Sequence, residues 1–487
     1  MRVHFFHTND VHSHFEEYLQ VATQLRRRRE QATADGDVVF SFDIGDNADR
    51  KRMETEGTFG RTNAALLAQV GYDAWTFGNN EGLTLPKDSW ADLVNESNTP
   101  LLVANLFDDE SREPFGCFEP YVILERSGLR VAVIGLTVPF FDFYKMFGVW
   151  AEHPRDTFAR LLPEIREQGV DLVVLLSHLG LGSDRQIAEE IEGIDLILGG
   201  HTHNVLEQPE QIGRTWIAQA GSHGSHLGHL TLEWDDAARR IAAVTGGAVP
   251  RDRSLVPDQD LADLLAHWQE HAAMRMTEVV AQLDQPLLHR LSGDSPLAHL
   301  VVDGMRARTG AQIAMINGGV FNHGLIEGPV TRADLLTCFP GPSITCVVEL
   351  TGGQVLSLLE KSLDPAYAEQ VGKGYGFRGY RVGGLQVSGL TVNVTRQTDG
   401  RTVIDARHDG KAIDPERVYE VAGIDYLYFS PVYAEFKEGR SVRFQLPFVR
   451  QLLGEVLAQT GEADIESPRW MFAGFEPHTD QEEQEEL

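Results

Sequence analysis

Through the first 250 residues, short apolar runs alternate with longer segments whose apolar positions recur every three to four residues. The apolar runs have the length and composition of buried strands: 3–6, 38–42, 74–77, 172–176 and 196–198. The longer segments have the periodicity of amphipathic helices: 19–32, 61–69, 156–168 and 184–191. A regular alternation of strand and helix predicts an α/β domain over residues 1–250.

The pattern changes in the second half of the chain. Residues 259–283 keep a helical period and predict a connecting helix within a linker at 251–283. Beyond it lie strand-like runs, one further helix and a glycine-rich stretch: 313–316, 345–350, 353–363 and 372–384. These segments predict a second α/β or α+β domain over residues 284–470. Residues 471–487 predict an acidic tail, and its acidic, polar end, Gln481–Leu487, predicts disorder.

Composition narrows the class of protein. A chain of 487 residues is long enough for two or three hydrophobic cores. Its net charge of −30 disfavours nucleic acid and anionic membranes as partners. No apolar stretch approaches the ~20 residues of a membrane span, and the start of the chain lacks the pattern of a secretory signal. Three scattered cysteines indicate a reducing compartment, so we expect a cytoplasmic protein.

Polar residues follow each predicted strand of the first half. Five clusters stand there: His7-Thr8-Asn9-Asp10-Val11-His12, Gly45-Asp46-Asn47, Gly78-Asn79-Asn80-Glu81, Ser177-His178 and Gly199-Gly200-His201-Thr202-His203. The carboxyl ends of successive strands meet on one side of an open α/β sheet. We therefore expect the clusters to converge on a hydrolytic metal site.

The residue types in these clusters are those of a paired metal centre. Asp10 and His12 stand two apart and can face one ion, while the Asp46 carboxylate could bridge two. The remaining donors are an amide oxygen and three imidazoles: Asn79, His178, His201 and His203. Mixed oxygen and nitrogen ligands suit Mn²⁺, Zn²⁺, Fe or Co better than Mg²⁺ alone. Two such ions, ~3.5–4 Å apart, can hold an attacking hydroxide and polarise a phosphoryl group.

The order and flanking residues of the five clusters resemble the calcineurin-like metallophosphoesterase superfamily, and within it the 5′-nucleotidase branch. The resemblance implies a four-layer αββα sandwich with two central sheets. It implies one metal held by Asp10, His12, Asp46 and His203. It implies a second metal held by Asp46, Asn79, His178 and His201.

One departure from that family concerns catalysis. The family has a His after the ligand Asn, paired with an Asp three residues later, and here those positions hold Asn80 and Leu83. Asn80 can donate a hydrogen bond to substrate but carries no charge. His223, in the loop 221–228, is a candidate to protonate the leaving group.

The second half resembles the C-terminal, substrate-binding domain of 5′-nucleotidases. The motifs that carry the resemblance include Asn317-Gly318-Gly319, Gly328-Pro329-Val330-Thr331 and Gly384-Leu385-Gln386-Val387-Ser388-Gly389. Asn317 is a candidate substrate-binding residue. The family's first arginine and its aromatic base clamp are not matched: Asn322 stands at the arginine position. The alternative cations for an anionic substrate are Lys373, Arg378 and Arg381, and Tyr375 and Phe377 beside them could stack on a ring or pack in the interior.

These observations predict a dinuclear-metal phosphoesterase of the 5′-nucleotidase type, acting by metal-hydroxide attack on a small-molecule phosphoester. Substrates would be nucleotides, cyclic nucleotides, nucleotide sugars or dinucleotides. One alternative is a metal hydrolase for a non-nucleotide anion such as a sulfur oxyanion, because the base clamp is altered. The other is a noncatalytic metal-binding sensor or scaffold, because the His/Asp dyad is missing.

Overall fold

The apolar runs form strands in the computed structural model, which describes residues 1–372, 374, 376–397, 401–459 and 467–473. The chain divides between Met274 and Arg275 into two units. The domain limits predicted near residues 250 and 284 stay predictions. Among the described residues, no helix combines the length and hydrophobicity that a bilayer span requires.

The first unit holds these strands: β1 Arg2–Thr8, β2 Val38–Asp43, β3 Ala74–Thr76, β4 Leu101–Leu102, β5 Leu106–Asp108, β6 Tyr121–Arg126, β7 Leu129–Thr137, β8 Val149–Ala151, β9 Leu172–His178, β10 Leu196–Gly199, β11 Glu210–Ile212, β12 Thr215–Gln219, β13 His226–Asp235 and β14 Arg240–Pro250. Its helices are α1 Phe15–Ala34, α2 Met53–Thr58, α3 Arg61–Val70, α4 Asn79–Thr84, α5 Trp90–Ser97, α6 Phe141–Met146, α7 Pro154–Glu167 and α8 Leu181–Glu190. Helix α9, Gln259–Met276, begins in this unit and includes the first two residues of the second.

Two mixed sheets form the centre of this unit. Their strand orders are β14-β13-β1-β2-β3-β4 and β11-β12-β10-β9-β7-β6. Because side chains alternate across a strand, Val3 and Phe5 pack between the sheets against residues such as Val131 and Val174, while Phe6 faces the helices. Helices α1, α3 and α5 cover the outer face of the first sheet, and α7 and α8 cover that of the second. The predicted four-layer αββα sandwich is confirmed.

The second unit holds these strands: β15 Val279–Leu283, β16 Ile313–Asn317, β17 Gly328–Thr331, β18 Ile344–Thr351, β19 Leu385–Ser388, β20 Thr391–Arg396, β21 Thr402–His408, β22 Lys411–Ala412, β23 Val418–Ile424, β24 Arg440–Phe448 and β25 Trp470–Ala473. Its helices are α10 Pro296–Thr309, α11 Arg332–Cys338, α12 Gly352–Ser362, α13 Pro365–Ala368, α14 Asp425–Phe429, α15 Ala434–Glu438 and α16 Val449–Gln459.

The main sheet of the second unit has the order β19-β16-β23-β18-β24, and a smaller sheet has the order β22-β21-β20-β25. One apolar core joins the main sheet to the helices: Val301 of α10, Ile313 of β16, Leu358 of α12 and Leu453 of α16 all belong to it. The predicted mixed α/β character of the C-terminal domain is confirmed.

Two details of the sequence prediction are wrong. The helical segment predicted at 259–283 ends at Met276, and Val279–Leu283 is a strand that pairs antiparallel with Gly328–Thr331. The β-branched Val279 and Val280 favour that extended pairing over a further helical turn. The limit predicted for the tail at 471 is also wrong, because 471–473 belong to the strand Trp470–Ala473, which pairs with β20. Residues 474–487 lie outside the described residues.

Candidate metal centre

The donor side chains of the five clusters lie where parallel strands end. β1, β2 and β3 run parallel in one sheet, and β9 and β10 run parallel in the other. Each of these strands ends within a few residues of its cluster. The clusters therefore share one edge of the sandwich, and the structure brings most of their donor atoms together.

Two overlapping groups of ligand atoms form at this edge. The atoms of Asp10, His12 and His203 lie within 4.8 Å of one another, and so do those of Asp10, Asp46 and His178. The Asp46 carboxylate faces both groups: Oδ2 lies 3.7 Å from His12 Nε2, and Oδ1 lies 3.4 Å from His178 Nε2. Both carboxylates lie close to histidines of the two groups, whereas the sequence analysis named Asp46 alone as a carboxylate that could bridge two ions.

Charge in the cluster is unbalanced without cations. Asp10 is fully buried, and Asp46 nearly so. Burial acts to raise the pKa of Asp46, but the positive charge of His178, 3.4 Å away, lowers it below its ordinary value. Conversely, burial acts to lower the pKa of His178, while Asp46 and Asp10 raise it to about 10. Two ionised carboxylates buried side by side require positive charge nearby.

Unpartnered donor atoms fit metal binding. Asn79 Oδ1 and His178 Nε2 are buried and have no hydrogen-bond partner. His178 Nδ1 lies 2.7 Å from the Ile44 carbonyl, and a bond donated there turns Nε2 toward the carboxylates, where a metal ion could replace its proton. The His201 ring lies beside that of His178, with centroids 5.3 Å apart. Burial lowers the pKa of His201 to about 4, so its imidazole is neutral. The donor set suits divalent cations of the borderline class.

The backbone of the site is strained. Among the non-glycine residues with positive φ, seven lie in the site loops: Asp10, His12, Ser13, Asp46, His201, His203 and His223. Each such residue costs on the order of 1–3 kcal/mol and persists only where its surroundings hold it in place. Asp and His tolerate this conformation better than most residues. A concentration of strain on metal-ligand residues is typical of a functional site.

Glu81 holds two ligand loops together, a role the sequence analysis did not assign. Its carboxylate accepts hydrogen bonds from the backbone N–H groups of Asp46 (3.0 Å), Ala48 (2.7 Å) and Gly78 (2.9 Å). A Cβ at Gly78 would lie 2.0 Å from Asp46 Oδ1, so only glycine allows this approach. The signal for this contact was the last residue of the Gly-Asn-Asn-Glu motif.

Asn80 contacts a candidate metal ligand. Its side chain is almost fully buried, and Nδ2 lies 2.9 Å from both His12 Nδ1 and the Ala48 carbonyl oxygen. With the amide in this orientation, His12 Nδ1 accepts and the ring proton resides on Nε2, 3.1 Å from His203 Nε2. A metal ion at Nε2 would require that proton to move to Nδ1. A substrate could use the Asn80 amide only by displacing one of these bonds. That Asn80 donates a hydrogen bond to the substrate stays a prediction. Its contact with His12 indicates a second candidate role, which is to position the His12 ring.

His223 lies beside the first group of ligand atoms. Its N–H donates to the Asp10 carbonyl (2.8 Å), and its ring lies 5.5 Å from the His12 ring and 5.7 Å from the His203 ring. It stacks on His14 at 4.2 Å, a neighbour the sequence did not reveal. Burial and the neighbouring His14 lower the pKa of His223 to about 4. A neutral imidazole at this position can exchange a hydrogen bond with a leaving group.

The substrate residues predicted in the second unit differ in their surroundings. Asn317 is fully buried and donates from Nδ2 to the Val382 carbonyl (2.7 Å), while its Oδ1 has no hydrogen-bond partner. Arg378 and Arg381 are half-buried. Phe377 packs against Tyr426 at 4.7 Å, which uses its ring in the interior. Lys373 and Tyr375 lie outside the described residues.

Two family models match the chain. The calcineurin-like phosphoesterase model matches residues 3–205, and the model of the 5′-nucleotidase C-terminal domain matches residues 279–430. Together with the αββα sandwich and its cluster of metal-ligand atoms, these matches define the class of protein: a metal-dependent phosphoesterase, and so a hydrolase.

Relatives of full length support the same assignment. An uncharacterized metallophosphoesterase, YunD, of Bacillus subtilis is 31% identical over 94% of this chain and 99% of its own length. A 5′-nucleotidase of Vibrio vulnificus is 25% identical over 75% of this chain and 77% of its own. The solved structure of NAD nucleotidase from Haemophilus influenzae matches 97% of this chain and 99% of its own with a TM-score of 0.68, at 15% identity. The chain belongs to the calcineurin-like metallophosphoesterases that carry a 5′-nucleotidase C-terminal domain.

Proposed function

We propose that this phosphoesterase hydrolyses nucleotides or closely related phosphoesters at a centre of two divalent metal ions. The observation that carries the proposal is the convergence of Asp10, Asp46 and His178, with the unpartnered Asn79 Oδ1 beside them, at one sheet edge. Nucleotides are favoured as substrates because the second family match is a 5′-nucleotidase domain and a Vibrio relative bears that name.

Seven residues would hold the metals, as the sequence motifs predict. Asp10, His12, Asp46 and His203 are proposed for one ion, and Asp46, Asn79, His178 and His201 for the other. Bound cations would supply the charge that polarises the phosphoryl group and lowers the pKa of water. The first of these sets includes one of the two groups of ligand atoms within 4.8 Å, and the second shares Asp46 and His178 with the other.

The remaining residues would position these ligands and the leaving group. Glu81 fixes the Asp46 loop through three backbone hydrogen bonds, and Asn80 contacts the far nitrogen of His12. His223, neutral because its pKa is lowered to about 4, would hydrogen-bond the leaving oxygen. In-line displacement at phosphorus needs mainly such positioning and charge, and little covalent chemistry from the protein.

A substrate and metal panel tests the proposal. The purified protein is stripped with a chelator and supplied singly with Mn²⁺, Zn²⁺, Fe²⁺ or Co²⁺. Phosphate release is then followed from AMP, a cyclic nucleotide, a nucleotide sugar and a dinucleotide, with sulfate esters alongside. Metal-dependent release of phosphate is expected. Turnover of sulfate esters alone would favour a metal hydrolase for a non-nucleotide anion. Absence of both bound metal and turnover would favour a noncatalytic sensor or scaffold.

We further propose Mn²⁺ as the working metal and the cytoplasm as the compartment. The carboxylate and amide oxygens of the donor set suit Mn²⁺, while its imidazoles would also accept Zn²⁺ or Fe²⁺. The cytoplasmic assignment is supported by Cys117, Cys338 and Cys346, which are all free thiols. Elemental analysis of protein purified from its natural source tests the first proposal, and cell fractionation tests the second.

A further inference from the structure

An exposed aromatic side chain lies beside a candidate metal ligand of the first unit. Phe140 follows β7 and precedes α6, and 38% of its surface is exposed. Its ring makes an edge-to-face contact with the His201 ring, with centroids 5.9 Å apart. Most aromatic side chains of the described chain are buried, and Phe140 and Phe141 are the phenylalanines that stand out among the exposed apolar residues. An exposed ring beside a candidate metal ligand is available to contact a substrate bound at that cluster.

Local structure holds Phe140 in this place. Its N–H donates to the Val138 carbonyl (3.0 Å), and its carbonyl accepts from Tyr144 N–H (2.9 Å), the first bond of helix α6. Tyr144 is fully buried and anchors that helix. The ring of Phe140 is also supported by Phe143, at 6.3 Å between centroids. The Phe140 ring is thus a fixed apolar surface next to His201.

Phe141 provides a natural contrast. It is even more exposed, at 49%, yet among the described residues it makes no aromatic contact. Two adjacent phenylalanines therefore differ in one respect that matters here, which is contact with a metal-ligand ring. If both phenylalanines formed one general apolar surface, removing either ring should affect binding. If Phe140 lines the substrate site, only the removal of the Phe140 ring should do so.

We propose that Phe140 determines substrate specificity by stacking on the planar ring of the substrate's leaving group, so that the first unit itself contributes to recognition of the base. The inference rests on the proposed nucleotide hydrolysis. Stacking on an aromatic side chain tolerates every base, because each base presents a π-face. It would favour ring-bearing phosphoesters over ringless ones without strong preference among bases.

Matched substrates test this role. AMP and ribose 5-phosphate share the sugar and the phosphate and differ in the base. For Phe140→Ala we expect KM for AMP to rise about tenfold with little change in kcat, and kinetics on ribose 5-phosphate to stay within about twofold. Phe140→Trp should restore the low KM for AMP. Phe141→Ala should resemble the wild type on both substrates.

A binding measurement separates this inference from the proposed function. Saturation-transfer NMR detects weak binding of adenosine and ribose, neither of which needs to be hydrolysed. Saturation of the adenine protons in the wild type and its loss in Phe140→Ala would support the inference even if no phosphoester were turned over. Three results would each overturn the inference. Phe140→Ala could impair the kinetics on AMP and on ribose 5-phosphate equally, or Phe141→Ala could raise KM for AMP as much as Phe140→Ala does. The third is a saturation of the adenine protons that is unchanged in Phe140→Ala.

Discussion

Asn80 offers the sharpest test of how this site differs from its relatives. Asn80→Ala removes the amide that lies 2.9 Å from both His12 Nδ1 and the Ala48 carbonyl. A third hydrogen bond, from Asn79 Nδ2 to Asn80 Oδ1 (3.3 Å), is also lost; at a net ~1 kcal/mol for each bond, the free energy of unfolding should fall by about 2–3 kcal/mol. Loss of a partner of a ligating histidine typically weakens metal binding about 10–100-fold.

The chain contains a matched control for this change. Asn105 is fully buried, donates to the Thr137 carbonyl (2.8 Å) and accepts from Thr137 N–H (3.1 Å). Asn105→Ala therefore makes the same truncation and breaks two side-chain hydrogen bonds, against three at Asn80, whose Oδ1 also accepts from Asn79 Nδ2 (3.3 Å). We expect a similar loss of stability, about 2 kcal/mol, with metal affinity unchanged.

Two measurements decide the outcome. Denaturant unfolding gives the stability of each variant, and competition with a chromophoric chelator gives the metal affinity. Asn80→Asp offers an acceptor for a proton on His12 Nδ1, which frees Nε2 for a metal ion, so this variant should retain more metal affinity than Asn80→Ala. If Asn80→Ala binds metal as tightly as the wild type while kcat falls about 100-fold, Asn80 acts on the substrate, as the sequence first suggested, and the positioning role is refuted.

Three further predictions follow from the site and the core. Asp46→Ala should lose bound metal and nearly all hydrolysis while its circular dichroism spectrum is retained. Asp43→Asn, a change three residues away, should keep its metal. Full metal occupancy in Asp46→Ala would contradict the role of Asp46 as a ligand of both ions. Chelation should abolish phosphate release and lower the unfolding temperature, and Mn²⁺ should restore both; an unchanged unfolding temperature in stripped protein would argue against a bound ion. Burial raises the pKa of Asp425 from 3.8 to about 7, so wild-type stability should fall as pH rises through that interval, because the folded state retains a proton that the unfolded state releases. The free energy of unfolding of Asp425→Asn should rise relative to that of the wild type between about pH 5 and pH 8, by at most about 4 kcal/mol. If the difference between the two proteins does not change with pH, the pKa of Asp425 is not raised by folding.

Much of the fold could be predicted because its signals are local. Runs such as 38–42 and 172–176 are apolar throughout, which only strands buried on both faces require, and Val38–Asp43 and Leu172–His178 are such strands. The donor residues of the candidate metal centre could also be recognised from local sequence, because each one follows its strand within a few positions. The sequence could not show where the helix after Gln259 ends, because the extended pairing of Val279–Leu283 depends on Gly328–Thr331 nearly fifty residues away.

The contacts among the site residues were decided by tertiary structure alone. Glu81 joins the Asp46 and Gly78 loops, and Asn80 reaches His12 across 68 positions of the chain. These contacts arise from how closely the loops approach, and neither periodicity nor motif spacing encodes that distance. The sequence determined which atoms could bind a metal and at which strand ends they lie. The packing of the two sheets determined which of those atoms meet, and it left the ring of Phe140 exposed beside His201.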